Sequence, residues 1–300
     1  MSNNEKLAKI KELRQISDAP FVDCKTALEK TDYNIDAAVA WLSENGKTKA
    51  LKKSGRIAAE GLVLAASNEN FALIFELNSE TDFVAKNKNF IDLQQKIKNL
   101  LLTNDFENLD QALSIKDESG KSISELLVDA TATMGEKISL RWISKTKVFP
   151  NQNVGIYTHA NGQIATITIL ENGDFETAKS VAMHAAALNP EFIFKTDIPQ
   201  ERLEQITNQF SNSPNLNNKP EKIKQTILQG MIEKELSKFV LEFQPFAMDS
   251  AVSVKKYIES RSAKLLKVVR FEVGEGVERQ VVDFSAEVQS QIQEASKTSQ

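Results

Sequence analysis

Three stretches near the start of the chain place apolar residues three or four positions apart, which is the spacing of one helix face. Ser17-Asp18-Ala19-Pro20 separates the first two stretches, Asp32 can cap the third, and Gly46 is expected to end it. The sequence therefore predicts a three-helix module over residues 1–46, with a small core because so short a segment buries little surface. The apolar positions are Leu7, Ile10, Leu13, Cys24, Ala27, Leu28, Ile35, Ala38, Val39 and Leu42.

Two apolar residues of this module, Phe21 and Val22, directly follow Pro20. A small helical module with little core often recognises a partner through exposed apolar residues, and this pair is the candidate. The alternative is that both side chains belong to the core of the module. The sequence leaves both interpretations open.

Residues 47–56 contain five basic residues and no acidic residue. This composition predicts a solvated linker, and contact with RNA or an acidic partner is the alternative. Aromatic residues for base stacking are not interleaved, which favours the linker. The basic residues are Lys47, Lys49, Lys52, Lys53 and Arg56.

From residue 57 onward the pattern changes to strands and longer helices. The β-rich runs at 61–67 and 71–77 predict a hairpin. Apolar residues at helical spacing between 90 and 101 predict an amphipathic helix. A further helix over about 122–134 and a strand over about 137–148 follow.

The same order of elements then returns. Residues 154–160 are β-rich, Asn161-Gly162 is a strong signal for a two-residue hairpin turn, and 164–170 alternates. A helix is predicted from Asp174 onward. The chain therefore uses one hairpin-plus-helix unit twice, which predicts an α+β fold with helices covering one face of each antiparallel sheet.

The C-terminal third begins after Asn189-Pro190, which ends the helix before it. Two helices with narrow apolar stripes flank the polar loop at 211–220 and predict an antiparallel helical arm that projects from the body. A short helix near 252–264 and a strand over 267–273 come next. A last helix is expected to dock through an apolar stripe at Phe284, Val288 and Ile292.

Composition narrows the class of protein. The chain has 300 residues, a hydrophobic fraction of 41% and a net charge of −4, so it can build two or three domains and does not resemble a dedicated nucleic-acid binder. One cysteine excludes an internal disulfide. The N-terminus lacks the apolar run of a signal peptide, and no stretch approaches the roughly 20 apolar residues of a membrane span. We expect a cytoplasmic protein without a membrane segment.

The sequence contains no complete motif for catalysis or nucleotide binding. Gly46-Lys47-Thr48 and Gly120-Lys121-Ser122 imitate the end of a phosphate loop, but Trp41 and Ile115 stand where its first glycine is needed. His184 is expected to be a packing residue, and His159 is expected on the surface. The sequence predicts no catalytic site, no metal site, no cofactor and no direct nucleotide binding.

The segment Thr81-Asp82-Phe83 stands out because an acid and a large aromatic residue are adjacent at the end of a predicted strand. One interpretation is a helix start, in which Thr81 or Asp82 caps the helix and Phe83 packs beneath it. The other is that Phe83 is a wedge presented to a partner, with Asp82 beside it.

Several segments, in order along nearly the whole chain, resemble the elongation factor Ts family, the guanine nucleotide exchange factors of elongation factor Tu. The strongest resembles the signature of that family and runs from Glu80 to Asn87. The other matching segments are Leu13-Arg14, Asp23-Cys24-Lys25-Thr26-Ala27-Leu28, Arg56-Ile57-Ala58-Ala59-Glu60-Gly61, Val181-Ala182-Met183-His184-Ala185-Ala186, Asn189-Pro190, Gln244-Pro245-Phe246 and Arg270-Phe271-Glu272-Val273-Gly274-Glu275-Gly276.

The resemblance implies a ubiquitin-associated-type N-terminal module, a core of two related subdomains, a helical hairpin arm and a C-terminal helix. A homodimer through the arm is one arrangement that this architecture allows. The expected division is a module at 1–46, a basic linker at 47–56, a core N-subdomain at 57–142, a core C-subdomain at 143–189 and 230–273, the arm at 190–229 and a C-terminal helical module at 274–300.

The resemblance also implies a non-enzymatic role in translation, with elongation factor Tu as the partner. It assigns Thr81, Asp82, Phe83 and Val84 to the segment that disturbs the magnesium and phosphate site of the partner. It assigns Phe21 and Val22 to the contact of the N-terminal module, and His159 to a contact of the second hairpin. Two alternatives stay open: an RNA- or ribosome-bound translation protein that uses the basic linker, and a structural stabiliser or chaperone that binds the GTPase without speeding nucleotide release.

Overall fold

The computed structural model describes residues 1–17, 19–211, 213–217 and 219–278. Within the described residues, the helices and strands that the sequence predicts occur in the predicted order, with further short elements between them. Their bounds are α1 Asn3–Ser17, α2 Phe21–Lys30, α3 Ile35–Lys53, β1 Glu60–Ser67, β2 Phe71–Ser79, α4 Asp82–Ala85, α5 Lys88–Thr103, α6 Leu109–Ser114, α7 Ile123–Met134, β3 Ser139–Lys147, β4 Gln152–Thr158, β5 Ile164–Glu171, α8 Phe175–Leu188, α9 Gln200–Ser211, α10 Glu221–Leu236, β6 Pro245–Phe246, β7 Asp249–Ser253, α11 Val254–Ser260 and β8 Lys264–Glu272, with short 3-10 turns at Lys195–Asp197, Pro214–Leu216 and Leu241–Phe243.

Within the described residues, two three-stranded antiparallel sheets share one topology. The first has the order β1-β2-β3 and the second the order β4-β5-β8. In each sheet a hairpin is followed by helices, and a later strand returns to pair with the second hairpin strand. In both sheets the pairing with the returning strand shifts register once, opposite Glu76/Leu77 of β2 and opposite Ile169/Leu170 of β5. This correspondence confirms the α+β class and the repeated hairpin-plus-helix unit.

The two sheets pack on each other and carry helices on their outer faces. On β2, Phe75 packs with α5 and α7, whereas Ile74 faces the second sheet. On β5, Leu170 packs with α8 and α11, whereas Ile169 faces the first sheet. Alternation along a strand sends successive side chains to opposite faces, so both central strands are apolar on both sides. The result is a stack of helices, sheet, sheet and helices.

A glycine allows α8 to lie close to its sheet. A Cβ on Gly155 would lie 2.0 Å from the carbonyl carbon of Ala178 on α8. Any larger residue at this position of β4 would therefore push the helix off the strand. Asp174 caps α8 and Asn189 ends it in the left-handed conformation, as the sequence predicts.

The N-terminal module is a three-helix bundle, but its third helix departs from prediction. α3 does not end at Gly46 and continues to Lys53, so most of the predicted basic linker is helical. Gly46 lies against Ala132 of α7, where a Cβ would be 2.8 Å from the Cβ of Ala132. The glycine serves close helix packing and not helix termination. Asn34 caps α3 in place of Asp32, whose φ is +48°.

The helical arm consists of α9 and α10. Ile206 and Leu236 are the buried centre of a small cluster at its base, which also includes Phe192 and Phe239. The predicted boundary at 229 falls inside α10, just as those at 46 and 142 fall inside α3 and β3. The short helix α6 was not predicted. The last predicted helix, with Phe284, Val288 and Ile292, lies outside the described residues.

A buried carboxylate fixes the turn that follows β8. Glu76 of β2 is 1% exposed, and its Oε2 accepts a hydrogen bond from Nη2 of Arg141 at 2.8 Å. Its Oε1 accepts one from the backbone N–H of Gly274, also at 2.8 Å. The carboxylate therefore holds the turn that leads out of the second sheet against the first sheet.

Candidate partner-binding site

The candidate site begins where β2 ends. Thr81 is extended and caps the four-residue helix α4, because its Oγ1 accepts a hydrogen bond from the backbone N–H of Val84 at 3.4 Å. The hydroxyl of Ser79 donates to the carbonyl oxygen of Thr81 at 2.8 Å. Ala85 is buried and Val84 packs against the core of the first sheet. The turn is therefore attached to the core on both sides of Asp82 and Phe83.

Phe83 points away from that core. Its side chain is 82% exposed, the largest exposed fraction among the large hydrophobic residues of the described chain. The capping half of the helix-start interpretation is confirmed for Thr81, but the expectation that Phe83 packs beneath the helix is wrong. Burying a phenylalanine side chain is worth about 1.5–3 kcal/mol. The fold forgoes that contribution at a position whose neighbours are fixed.

Asp82 presents a negative charge next to Phe83. Its Oδ2 accepts a hydrogen bond from Nζ of Lys86 at 2.6 Å, one turn further along. This hydrogen bond lowers the pKa of Asp82 below its ordinary value. The carboxylate is consequently ionised at neutral pH, and its charge belongs to the residue directly before the exposed Phe83.

Two further carboxylates, those of Glu136 and Glu80, hold the turn through hydrogen bonds to the backbone. The backbone N–H of Thr81 donates to Oε2 of Glu136 at 2.9 Å, and its hydroxyl donates to Oε1 at 2.7 Å. In the opposite direction, the backbone N–H of Lys137 donates to Oε1 of Glu80 at 2.7 Å. Glu80 also pairs with Nη1 of Arg56 at 3.1 Å. Glu136 has no motif around it in the sequence, and sequence reasoning missed it.

His159 lies on the turn of the second hairpin and is exposed, as predicted. Its Nδ1 is 2.8 Å from Oδ1 of Asn161. The turn is longer than the predicted two residues, because the N–H of His159 bonds the carbonyl oxygen of Ile164 at 2.8 Å. The carbonyl oxygen of Gly162 accepts the N–H of Val63 at 2.8 Å, which seats the turn on β1. Since α4 also contacts β1, one strand positions both predicted contact segments of the core.

Phe21 and Val22 lie in the first turn of α2, on the N-terminal module and not on the core elements that hold Phe83. Their side chains are 43% and 69% exposed. The interpretation that both are core residues is therefore wrong. Cys24, Ala27 and Leu28 of the same helix fill the core of the module instead.

The two phosphate-loop fragments have structural roles. Gly46 lies inside α3, and Gly120 belongs to a turn that precedes α7. At that turn Oδ1 of Asp117 accepts the N–H of Lys121 at 3.0 Å, and Oε2 of Glu125 accepts the N–H of Ser122 at 2.8 Å. These carboxylates occupy the N–H groups that a phosphate would need.

His184 is a satisfied core residue, as predicted. Its Nδ1 accepts the backbone N–H of Ala247 at 3.1 Å, so Nε2 carries the proton that faces Oε1 of Gln244 at 2.9 Å. Burial lowers the pKa of this imidazole. In the part of the chain that the structure describes, no three histidine, cysteine or acidic residues are grouped as a metal site, and no helix has the length and apolarity of a membrane span.

The chain matches one family of known proteins over most of its length. A family model described as "Elongation factor TS" matches residues 80–275. The elongation factor Ts of Mesomycoplasma hyopneumoniae (strain 7448) is 62% identical and covers 99% of this chain and 100% of its own length. The elongation factor Ts of Mycoplasmopsis pulmonis (strain UAB CTIP) is 49% identical over 97% of this chain and 99% of its own. The elongation factor Ts of Acholeplasma laidlawii (strain PG-8A) is 46% identical over 95% of this chain and 98% of its own length.

Proposed function

Because the chain belongs to the elongation factor Ts family of translation elongation factors, we propose that it binds elongation factor Tu and promotes exchange of GDP for GTP. It acts as a binding protein and not as an enzyme. It needs no cofactor and does not touch the nucleotide itself. Such a partner would place its action in the cytoplasm.

The observation that carries this proposal is the exposure of Phe83 on a turn that is held on both sides. A phenylalanine that is 82% exposed has most of its apolar surface available for a partner. The turn around it is fixed by the Thr81 cap and by Glu136, so the ring needs little ordering on binding. The proposed role is a wedge that enters the GTPase near its magnesium and phosphate site.

The energetics set a limit on what this wedge can do. An exchange factor that binds the vacant GTPase more tightly than the loaded one must weaken nucleotide binding by the same factor. Each tenfold change corresponds to about 1.4 kcal/mol. Burial of one phenylalanine ring supplies about 1.5–3 kcal/mol, so Phe83 accounts for one or two powers of ten. Other surfaces must supply the remainder.

Those other surfaces are proposed from the exposed residues described above. Phe21 and Val22 offer apolar area on the N-terminal module, and His159 offers a polar contact on the second hairpin turn. Asp82 would act by charge, since a carboxylate brought near a bound magnesium ion alters the electrostatics of its ligands. Dimerisation through α9 and α10 remains a prediction of the architecture.

Release of a fluorescent GDP analogue from elongation factor Tu tests the proposal. The wild-type protein should accelerate release in a concentration-dependent way, and Phe83→Ala should slow the accelerated rate by roughly 10- to 100-fold. Phe149→Ala is the matched control, because Phe149 is also an exposed phenylalanine but lies between β3 and β4. Binding without acceleration by the wild-type protein would instead identify a stabiliser of the GTPase.

A further inference from the structure

The turn that carries Phe83 is held by a reciprocal pair of carboxylates. Glu136 accepts hydrogen bonds from the backbone and hydroxyl of Thr81, and Glu80 accepts one from the backbone of Lys137. Each segment thus supplies a carboxylate to the other. We name these four residues, Glu80, Thr81, Glu136 and Lys137, the carboxylate clasp.

Glu136 fixes the conformation of Thr81 in two ways at once. Its Oε2 holds the N–H of Thr81 at 2.9 Å, which sets the backbone direction before α4. Its Oε1 holds the hydroxyl at 2.7 Å, which orients the same oxygen that caps α4 at the N–H of Val84. Hydrogen bonds to an ionised carboxylate are shorter and stronger than bonds between neutral groups. Phe83 lies two residues further, inside the turn that this cap defines.

The opposite side of the clasp is itself rigid. Glu136 follows Gly135, which ends α7 in the left-handed conformation with φ of +78°. The carbonyl oxygen of Gly135 accepts a hydrogen bond from Nζ of Lys53 on α3. Two residues after Glu136, the N–H of Ile138 donates to Oγ1 of the buried Thr131 at 3.0 Å. Glu136 is therefore a fixed anchor between the core and α3.

We infer that Glu136 is a positioning residue for nucleotide exchange, which acts by holding Phe83 in the orientation that enters the partner. The inference rests on the proposed function of Phe83. Glu136 lies behind the exposed ring and works through Thr81 and the cap of α4. Without its carboxylate, the N–H and hydroxyl of Thr81 lose their acceptors and the turn samples orientations that the partner must restrict on binding.

A double-mutant cycle with the full-length protein tests this inference. Glu136→Ala should lower the saturating rate of GDP release from elongation factor Tu by roughly 10-fold, the loss expected from charge-assisted hydrogen bonds. The same substitution should have little further effect in the Phe83→Ala background, because it acts through that ring. Glu136→Gln retains one acceptor oxygen and should fall between wild type and Glu136→Ala.

A matched control and a local probe separate positioning from general stability. Glu125→Gln removes a carboxylate from the capping box at the other end of α7 and should leave the release rate unchanged. Amide hydrogen exchange at Thr81 and Val84 should become faster in Glu136→Gln, while amides in β2 keep their protection.

The outcomes are distinguishable. An equal loss from Glu136→Gln with and without Phe83→Ala, or no loss in the Phe83-containing protein, would overturn the positioning role and leave the exchange function standing. Failure of the wild-type protein to accelerate release would overturn both. If Glu136→Ala does not fold, the same comparison is made with Glu136→Gln alone, and its circular dichroism confirms the fold.

Discussion

Gly46 of α3 and Ala132 of α7 are packed so closely that a Cβ on the glycine would lie 2.8 Å from the Cβ of the alanine. This contact joins the N-terminal module to the core through two helices. Lys53 at the end of α3 reinforces it by donating to the carbonyl oxygen of Gly135. The surface that carries Phe21 is therefore attached to the body of the protein by packed helices.

Substitution of Gly46 tests this attachment. Alanine is the better helix former by about 1 kcal/mol, but in α3 its methyl group overpacks the contact with Ala132, which typically costs about 1–3 kcal/mol. We expect Gly46→Ala to lower the urea midpoint of unfolding. Gly230→Ala is the control, because a Cβ on that helical glycine has nothing within 4 Å, and it should raise the midpoint.

The direct check of the contact is a compensating change. Ala132→Gly removes the methyl group that meets Gly46, so Gly46→Ala should become neutral or stabilising in that background. If Gly46→Ala lowers stability equally with and without Ala132→Gly, the close approach of the two helices does not explain the glycine.

The exposed pair on the N-terminal module should matter for affinity. Phe21 and Val22 are 43% and 69% exposed in the free protein, and Cys24, Ala27 and Leu28 fill the core of the module, so replacing the pair with serine should lower stability somewhat but keep the fold. Loss of apolar burial on the partner should weaken binding to elongation factor Tu by roughly 5- to 100-fold, measured by calorimetry. Point substitutions are preferable to deletion of residues 1–50, which would cut through α3 and uncover α7.

A control variant on the same module shows whether the loss of affinity is specific to Phe21 and Val22. Ile16→Ser changes another exposed apolar residue, on α1, and should leave the affinity unchanged. An unchanged affinity after both Phe21→Ser and Val22→Ser would exclude a gripping role for the first turn of α2.

His184 makes the stability depend on pH. Burial lowers its pKa in the folded state below the unfolded value of about 6.5, so the unfolded chain takes up a proton first as the pH falls. Its contribution to stability is therefore complete above pH 6.5 and decreases by about 1.4 kcal/mol per pH unit below it, until the folded pKa is reached. Urea midpoints between pH 7.5 and 5.5 should show this decline.

Comparison of two histidine variants identifies the source of the decline. His184→Gln should flatten the dependence of the midpoint on pH, whatever its effect on absolute stability. His159→Gln alters an exposed histidine on the hairpin turn and should keep the wild-type slope. An unchanged slope in His184→Gln would assign the decline to other groups.

Much of the fold follows from local patterns in the sequence. The hairpins, α5, α7 and α8 were predictable because apolar periodicity and capping residues such as Ser122 and Asp174 act locally. Gly46 was misinterpreted, since a glycine that permits close packing looks in sequence like one that ends a helix. The partner at Ala132 is 86 residues away and cannot be read from either segment alone.

The candidate site was likewise predictable only in part. Thr81 could be named as a possible cap, together with Asp82, because a cap bonds to a near neighbour such as Val84, and the two possible fates of Phe83 could be stated but not decided. Exposure of that ring depends on the packing of the whole first sheet. Glu136 escaped detection because its bonds to Thr81 span 55 residues. Long-range hydrogen bonds leave no periodic signal in a single sequence.

The central claim is that the protein prefers the vacant form of its GTPase, and one comparison of affinities tests it directly. Calorimetric titration of elongation factor Tu, nucleotide-free and GDP-loaded, should give a Kd at least about 100-fold lower for the vacant form, and Phe83→Ala should reduce that ratio by roughly 10-fold or more. Equal Kd values for the two forms with the wild-type protein would contradict the account.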